Sequence, residues 1–359
     1  MLKTIKKIGF YLLRTLANLF EIVFFFSLVL IFFIRSNWVQ TQVASSLAEY
    51  YSYKLDTDVS IESVKINGFE YAEINGLFIG DRHNDTLLYI HQVNGALADL
   101  SLDSKFAILS GINFEGARLK IQKYKGEKEF NLKFLLNYFA SEEVESSTFT
   151  MKIKDINLNE THVTYYDWNK EVKEYGIDYD HLDMWGISGK IIGFRNRGDV
   201  TTMNVEDIAL KDRSGFRLDS LSAHILVNSR KIKLDKLIVK TPNSNIITKG
   251  VELNFDGYEN FSNFVEDVRL FANVEMSSVN MKDIGYFVPS LKEYDFLIDL
   301  MGEVEGPVND LNLSSLFVSI SEGTYFDGDV SLKGLPNIDS TQIALNINVL
   351  QTSKMDLET

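Results

Sequence analysis

The segment DYDHLD, at residues 178–183, has the residue types of a metal site. In an extended strand, alternation would place the carboxylates of Asp178 and Asp180 on one face, where they could bind a calcium ion. The ligand number and the spacing match no known calcium loop, however. A solvated turn that leads into a strand has the same composition in an acidic chain. The sequence therefore favours a solvated turn and predicts no metal ligands.

The other residue types that carry out catalysis are scattered along the chain. Five histidines are present and no two of them are four residues apart, as they would be on a metal-binding helix: His83, His91, His162, His181 and His224. SGKIIG at 188–193 lacks the first glycine and the hydroxyl residue of a phosphate loop, and no GxSxG elbow occurs. Glu303 and Glu305 share a strand face without a predicted apolar pocket that would shift a pKa. We predict no catalytic residue, no cofactor and no enzymatic activity.

The composition indicates a β-rich chain that does not bind nucleic acid. The 359 residues include 25 Phe and 16 Tyr but only 4 Pro, and aromatic residues favour strands. The formal net charge is −14, whereas contacts to a phosphate backbone need clustered Lys and Arg. No cysteine is present, which excludes disulfide bonds, thiol nucleophiles and thiolate metal sites. The length allows two ordinary domains or one elongated domain.

The N-terminal residues have the pattern of a membrane anchor. The run IVFFFSLVLIFFI at 22–34 is apolar apart from one serine, and the leucines before it extend it to the roughly 20 residues that a spanning helix needs. The predicted anchor residues are Ile22, Phe25, Leu28, Leu30 and Phe33, with Trp38 in the interface beyond them. A cleaved signal peptide is the alternative, but the acceptable cleavage sequence Ser46-Leu47-Ala48 lies too far beyond the run.

The charges around the anchor predict its orientation. Lys3, Lys6, Lys7 and Arg14 precede the apolar run, and Arg35 follows it. This excess of cations predicts a cytoplasmic N-terminus. Residues 1–36 are therefore interpreted as a cytoplasmic N-terminus and a single-pass anchor in the inner (plasma) membrane. The bulk of the chain is predicted to lie beyond that membrane, in the periplasm of a Gram-negative cell.

Residues 37–54 are predicted to form a short juxtamembrane helix. Val39, Val43, Leu47 and Tyr50 recur at helical spacing and define its expected apolar face. We expect this face to pack on the first strands.

From residue 55 onward the apolar period changes to two, as in TQIALNINVLQ at 341–351, which predicts antiparallel strands. Two interruptions have helical spacing, at 130–140 and at 280–294, and Pro289 must start a new turn or kink the second. No linker separates domains. Residues 55–359 are therefore predicted to form one elongated sheet of about 20 strands, which at ~4.8 Å spacing would extend about 100 Å.

Four segments carry a resemblance to a known family. They are DRHNDTLLYI at 81–90, LDKLIVKTPNSNIITKG at 234–250, the GxVxG pattern of Gly302, Val304 and Gly306, and LQTSKMDLET at 350–359. Behind the anchor and in this order, they make the chain resemble the AsmA-like superfamily. Within it, the chain looks like the TamB family, the inner-membrane subunits of the translocation and assembly module, in the form found in Bacteroidota.

The resemblance implies a β-taco, which is a long curled sheet that is open along one side and apolar within. It implies a phospholipid in the groove, inner-membrane lipids around the anchor, and an outer-membrane TamA-type barrel partner bound through a C-terminal region not in this chain. The implied role is transport of phospholipid between the membranes, and an older interpretation is assistance to protein insertion or secretion. Family members are several times longer, so we expect this chain to be an N-terminal portion. The family brings no catalytic residues.

Alternation predicts which side chains line the groove. They are Leu316, Val318, Ile320, Ile343, Leu345, Ile347 and Val349. A phospholipid in water exposes about thirty CH₂ groups at ~0.8 kcal/mol each, roughly 24 kcal/mol in total, and such a lining would offset most of that cost. A sandwich or solenoid that packs its apolar face on itself has the same pattern. The alternative functions are a scaffold that binds client strands at the sheet edge and, more weakly, an envelope-glycan enzyme that uses Asp180 and His181.

Overall fold

Strands dominate the structure. The computed structural model describes residues 37–67, 71–101, 106–141, 150–321, 323–335 and 340–353. Within these ranges, 17 strands form a single sheet, so the predicted mainly β class is confirmed. The predicted anchor residues Ile22, Phe25, Leu28, Leu30 and Phe33 lie outside the described residues. Among the described helices, none combines the length and the apolar character needed to cross a bilayer.

The strand boundaries fix the residues that can face each other across the sheet. In chain order the strands are β1 (Val59–Ser60), β2 (Ser63–Asn67), β3 (Tyr71–Gly80), β4 (Thr86–Ser101), β5 (Phe106–Lys123), β6 (Thr150–Asp167), β7 (His181–Arg197), β8 (Val200–Asp212), β9 (Arg217–Leu218), β10 (Ser220–Val227), β11 (Lys231–Lys240), β12 (Asn245–Asn254), β13 (Arg269–Asn280), β14 (Leu297–Pro307), β15 (Asp310–Ser321), β16 (Thr324–Lys333) and β17 (Gln342–Gln351).

Strands that are consecutive in the chain are, with few exceptions, neighbours in the sheet. The order runs from β3 to β8 and then from β10 to β17, and nearly all pairs are antiparallel. The short strands β1 and β2 both pair with β3, and β9 pairs with one end of β8. The pair β5–β6 is parallel, unlike the predicted antiparallel arrangement. Parallel neighbours need a long crossover, and the connection at 124–149 supplies it.

Few helices interrupt the strands. They are α1 (Asn37–Leu55), α2 (Lys133–Ser141), α3 (Phe264–Asp267) and α4 (Met281–Gly285), with 3₁₀ turns at Tyr258–Asn263 and Pro289–Leu291. The helices α2 and α4 lie in the two segments with helical spacing. Pro289 starts a separate 3₁₀ turn after α4, because a proline has no N–H to continue the hydrogen bonds of a helix.

The buried face of α1 differs from the predicted one. Ala44 and Ala48 are buried together with Gln40, whereas Tyr50 is half exposed. The small alanines let the helix approach the sheet closely, and Val43 and Leu47 flank this line. The Gln40 side chain makes two hydrogen bonds to the main chain of Ile66: its Nε2 donates to the carbonyl (3.1 Å) and its Oε1 accepts from the N–H (2.8 Å). These bonds are of the kind that a neighbouring strand would make.

Replacing Gln40 by Ala should lower the free energy of unfolding by about 2–3 kcal/mol, because two buried main-chain groups of Ile66 lose their hydrogen bonds to the Gln40 side chain. The matched control is Gln42→Ala on the exposed face of the same helix, which should change it by less than about 0.5 kcal/mol. Urea titration of the full chain in detergent measures both. Equal effects of the two substitutions would contradict the role given to Gln40.

A line of β-bulges crosses the sheet. Register shifts interrupt each pairing from β12 to β17, and from β13 onward they lie next to one another. Residues of left-handed conformation lie in or beside such irregularities, including Lys236 (φ 53°) and Ser315 (φ 50°). The N–H of Ser315 donates to Asp329 of the next strand (3.0 Å). Because a bulge bends its strand, an aligned line of bulges folds the sheet along its length into a curl.

A glycine at position 236 should stabilise the protein. The left-handed conformation costs a residue with a Cβ about 1–2 kcal/mol, and glycine avoids this cost at some expense of chain entropy. We expect Lys236→Gly to raise the free energy of unfolding by up to about 1 kcal/mol and Lys236→Val to lower it by more than that. Thermal unfolding of both variants tests this, and a less stable glycine variant would contradict the assigned backbone conformation.

The main core lies at the N-terminal end of the sheet. Apolar side chains of α1, α2 and the strands β1–β6 form one cluster of buried residues, and Leu77, Ile90 and Ile153 in it are at most 2% exposed. Two small clusters follow, one around Met203 in β8 and one around Phe261 in the β12–β13 connection. The packing therefore changes along the sheet from a filled core to a thinly covered face.

Candidate functional site

An unbroken row of apolar side chains runs along the sheet from β8 to β17. Directly opposite residues of paired strands lie on the same face, with Cβ atoms about 5 Å apart. The register joins one residue from each strand into what we call the long row: Met203, Ile225, Leu234, Val251, Ala272, Val304, Leu313, Val330 and Leu345. At a strand spacing of about 4.8 Å, the row is a continuous apolar stripe about 38 Å long.

A second row runs beside the long row toward β17. It consists of Leu300, Val318, Phe326 and Leu350, which lie opposite one another in β14–β17. The face that carries both rows is called the trough face below. Each position of the two rows holds an apolar side chain, so no charge interrupts this part of the surface.

Five of the predicted lining residues lie on the trough face by their register. Leu345 belongs to the long row and Val318 to the second row. Leu316 and Ile347 lie opposite Gly328, and Ile343 lies opposite Leu332. Ile320 is the extra residue of a bulge near the end of β15, and its side chain is 53% exposed. Strand alternation predicts that all six of these residues line the groove.

Val349 departs from the alternation. A bulge in β17 falls between the partners of Asp327 and Gly328, so Val349 lies opposite Asp327 rather than on the trough face. Leu350 takes its place, because it lies opposite Phe326 in the second row. A regular pattern in the sequence hides such a bulge, since every second residue from Ile343 to Val349 is apolar.

The trough face is open at its β17 end. Met203 at one end of the long row is 6% exposed, whereas Leu345 at the other end is 56% exposed and the neighbouring Ile343 is 62% exposed. An edge strand is exposed partly because it has no outer neighbour, but Ile320 on β15 is also half exposed. Among the described residues, no buried apolar side chain belongs to β14–β17. An apolar patch of this extent on a soluble surface marks a place where something binds.

The opposite face of the same strands is more polar, although Phe271, Met301 and Phe317 also lie on it. Asn346 and Asn348 donate to Asp329 and Asp327, at 3.1 Å and 2.9 Å. Lys231 bonds to Glu252 at 2.8 Å further along the sheet. The sheet is therefore amphipathic, with one face suited to water and the other suited to hydrocarbon.

The GxVxG pattern has a structural explanation. Val304 belongs to the long row, and a Cβ on Gly302 or Gly306 would come within 3.1 Å of Leu316 Cα and 2.2 Å of the Asp310 carbonyl. Both glycines also have positive φ, 154° and 124°. The pattern therefore allows β14 and β15 to approach closely on either side of a lining residue.

The cluster around DYDHLD is buried, so the predicted solvated turn was wrong. Asp178 and His181 are 1% and 0% exposed, and His181 Nδ1 lies 2.9 Å from Asp178 Oδ2. Asp178 also accepts from the backbone N–H of Lys173 and of Asp180 and from Arg213. Burial acts to raise the pKa of Asp178, but these donors outweigh it and hold the pKa below its usual range. The carboxylate thus organises the β6–β7 loop.

No metal site accompanies this cluster. Across the part of the chain that the structure describes, no group of three or more His, Asp or Glu side chains is arranged to hold a metal ion. Asp178 and Asp180 do not present paired carboxylates to an ion, because Asp178 is already surrounded by donors from the protein. Its bonds are those of an ion pair that holds a loop.

The segment at 81–90 forms the turn between β3 and β4 and the first residues of β4, and its chemistry is also structural. The buried carboxylate of Asp81 accepts from the N–H of His83 (2.8 Å) and of Asp85 (3.0 Å), from Tyr124 (2.6 Å) and from Asn131 (3.1 Å). Burial acts to raise the pKa of Asp81, yet the bonds from Tyr124 and Asn131 lower it overall. The turn is therefore held by an ionised carboxylate.

Two insertions meet beyond the ends of the strands, a contact that the sequence did not predict. The N–H of Ile177 in the β6–β7 loop donates to the carbonyl of Tyr286 after α4 (2.8 Å), and Tyr175 stacks on the Tyr286 ring. On the other side, Asp283 of α4 accepts from Ser244 (2.6 Å). We call this contact the loop clasp. It joins loops that border β7 and β13, with four strands of the sheet between them, because the sheet curls and the loops are long.

No family model, no curated protein and no solved structure matches this chain.

Proposed function

We propose that this protein is anchored in the inner membrane and carries phospholipid in its trough toward the outer membrane. The observation that carries the proposal is the long row, which is apolar in β8 and in every strand from β10 to β17 and is uncovered at the β17 end. Acyl chains are the occupant that such a surface fits, because they are long, apolar and need no hydrogen-bond partners.

The energetics favour a lipid that lies along the row. Each CH₂ group removed from water contributes about 0.8 kcal/mol, so contact along one side of an acyl chain stabilises the complex by several kcal/mol. The headgroup stays in water outside the trough. A lipid can move between equivalent apolar positions along the row without exposing its chains fully at any step.

The cellular setting is part of the proposal and rests on the sequence. The apolar run at 22–34 and the cations before it support an inner-membrane anchor with the strands in the periplasm. The resemblance to the TamB family supports membership of that family and a role in outer-membrane biogenesis, with a TamA-type barrel partner that binds a C-terminal region beyond this chain.

A scaffold for proteins is the second candidate function, and the edge strand β17 favours it. All ten residues of β17 are exposed, and among the described strands it pairs with β16 alone. Its outer N–H and C=O groups could pair with a strand of a client protein. In that case the edge would bind the client, and the trough face would support the strand without holding lipid.

Photo-crosslinking in cells separates the two functions. A benzophenone side chain is placed singly at Val318, Ile320, Leu345 or Ile347, with Ser319 and Asn346 as controls on the polar face. The lipid function predicts labelled phospholipid at the first four sites and little at the controls. Labelling of protein clients alone would favour the scaffold, and labelling within the chain alone would mean that the face packs on itself.

A further inference from the structure

The trough face and the main core lie on the same face of the sheet. Ile156 of β6, in the main core, lies opposite Ile191 of β7, which lies opposite Val205 of β8, and Val205 lies opposite Ala223 of β10. The core and the trough are therefore successive parts of one apolar surface. They differ in what covers that surface.

At the N-terminal end, two helices cover it. Ala44 and Ala48 of α1 and Leu135 of α2 belong to the main core and are at most 3% exposed. The helices also meet each other, since the rings of Tyr51 and Tyr138 pack edge to face with centroids 6.5 Å apart. Together α1 and α2 fill the space over β1–β6. In the proposed function, acyl chains occupy the corresponding space over β8–β17. We call the two helices the plug.

The plug is fastened to the sheet as well as packed on it. Gln40 of α1 holds the main chain of Ile66, and α2 lies in the crossover between the parallel strands β5 and β6. Protein interiors are close-packed, with few voids larger than a water molecule. An acyl chain could reach the face of β1–β6 only if these helices left it.

We infer that the trough is blind: it is sealed at its N-terminal end by α1 and α2, and phospholipid must be loaded from the side, beyond β6. This inference rests on the proposed function and adds a location for loading. It assigns the first lipid contacts to the face of β8–β17, where exposure of the long row rises from 6% at Met203 to 56% at Leu345. A lipid that leaves the inner membrane cannot enter between α1 and the sheet.

Photolabelling of the unaltered full chain tests this directly, without substitutions that could disturb the core. The chain is placed in nanodiscs that contain phosphatidylethanolamine with a diazirine in its acyl chain, is irradiated, and its labelled peptides are identified by mass spectrometry. We expect at least about tenfold more label on peptides of β8–β17 than on peptides of β2–β6, because a close-packed core admits no acyl chain. Excess unlabelled lipid serves as the competition control.

Each outcome decides a different point. Label on β8–β17 that competes away, with buried residues such as Leu77 and Ile90 unlabelled, supports the blind trough. Label on Leu77 or Ile90 comparable to that on Val304 would overturn the seal and leave the lipid function intact. If no peptide of β8–β17 carried competed label, the proposed function would fail, and the inference would fail with it.

Discussion

Replacing Val330 by Asp should weaken phospholipid binding by about 100-fold. Val330 lies in the long row between Leu313 and Leu345, on a strand that is paired on both sides. A carboxylate there removes about three CH₂ contacts at ~0.8 kcal/mol each and must be desolvated against an acyl chain, so the loss is roughly 3 kcal/mol. Each 1.4 kcal/mol corresponds to about a tenfold change in affinity.

The neighbouring position supplies a matched control. Ser331 follows Val330 directly but lies on the polar face, opposite Asn312 and Ala344, and it is exposed. Ser331→Asp adds the same charge to the same strand and should leave the affinity within about a factor of two. Titration of each full-length variant with a fluorescent phospholipid measures the affinity. A similar loss in both variants would mean that charge, and not its position in the trough, matters.

Replacing Asp178 by Ala should lower the free energy of unfolding by about 3–5 kcal/mol. The substitution leaves buried His181 without its Nδ1 partner and removes an acceptor from the backbone N–H groups of Lys173 and Asp180. Removing this buried carboxylate costs this much because His181 Nδ1 and two backbone N–H groups stay buried and lose their acceptor. The β6–β7 loop should then open, and the amide of Ile177 in the loop clasp should exchange its hydrogen faster.

The pH dependence of the Asp178→Ala effect follows from the lowered pKa of Asp178. A carboxyl whose folded pKa lies below its unfolded value of about 3.9 contributes its full stability above that pH and loses it as the pH falls through the folded pKa. The stability gap between wild type and Asp178→Ala should therefore be widest near neutral pH and narrow below about pH 4. Glu171→Ala, at an exposed position of the same loop, is the control and should show no such gap. A gap that widens on acidification would contradict an ionised Asp178.

The strand period predicted most of the trough, because alternation follows directly from the two faces of a sheet. It assigned Leu316, Val318 and Leu345 to the face on which the register also places them. It misplaced Val349, because a single bulge reverses the faces beyond it and no residue type in LNINVLQ marks that bulge. Register depends on contacts with the next strand, which local sequence does not contain.

Burial of polar groups could not be predicted in the same way. Gln40 was not among the residues of the predicted apolar face of α1, and Asp178 was assigned to a solvated turn, because such side chains are usually exposed. Gln40 is buried because it bonds to the main chain of Ile66, which is distant in the chain. Asp178 is buried because it bonds to His181 and Arg213 in a loop whose shape the sequence does not predict. The packing of α1 on the first strands was predicted, but the part that α2 plays in the plug was not, since a sheet pattern does not reveal which part of its apolar face a helix covers.

The most direct test of a lipid-bearing trough is the amount of phospholipid that accompanies the protein when the full chain is purified gently from its membrane. Lipid phosphorus is measured per protein for wild type, Val330→Asp and Ser331→Asp after identical washing. We expect wild type and Ser331→Asp to retain phospholipid and Val330→Asp to lose it. Lipid contents that are equal in all three, or absent from wild type although the chain is folded, would contradict a lipid-bearing trough.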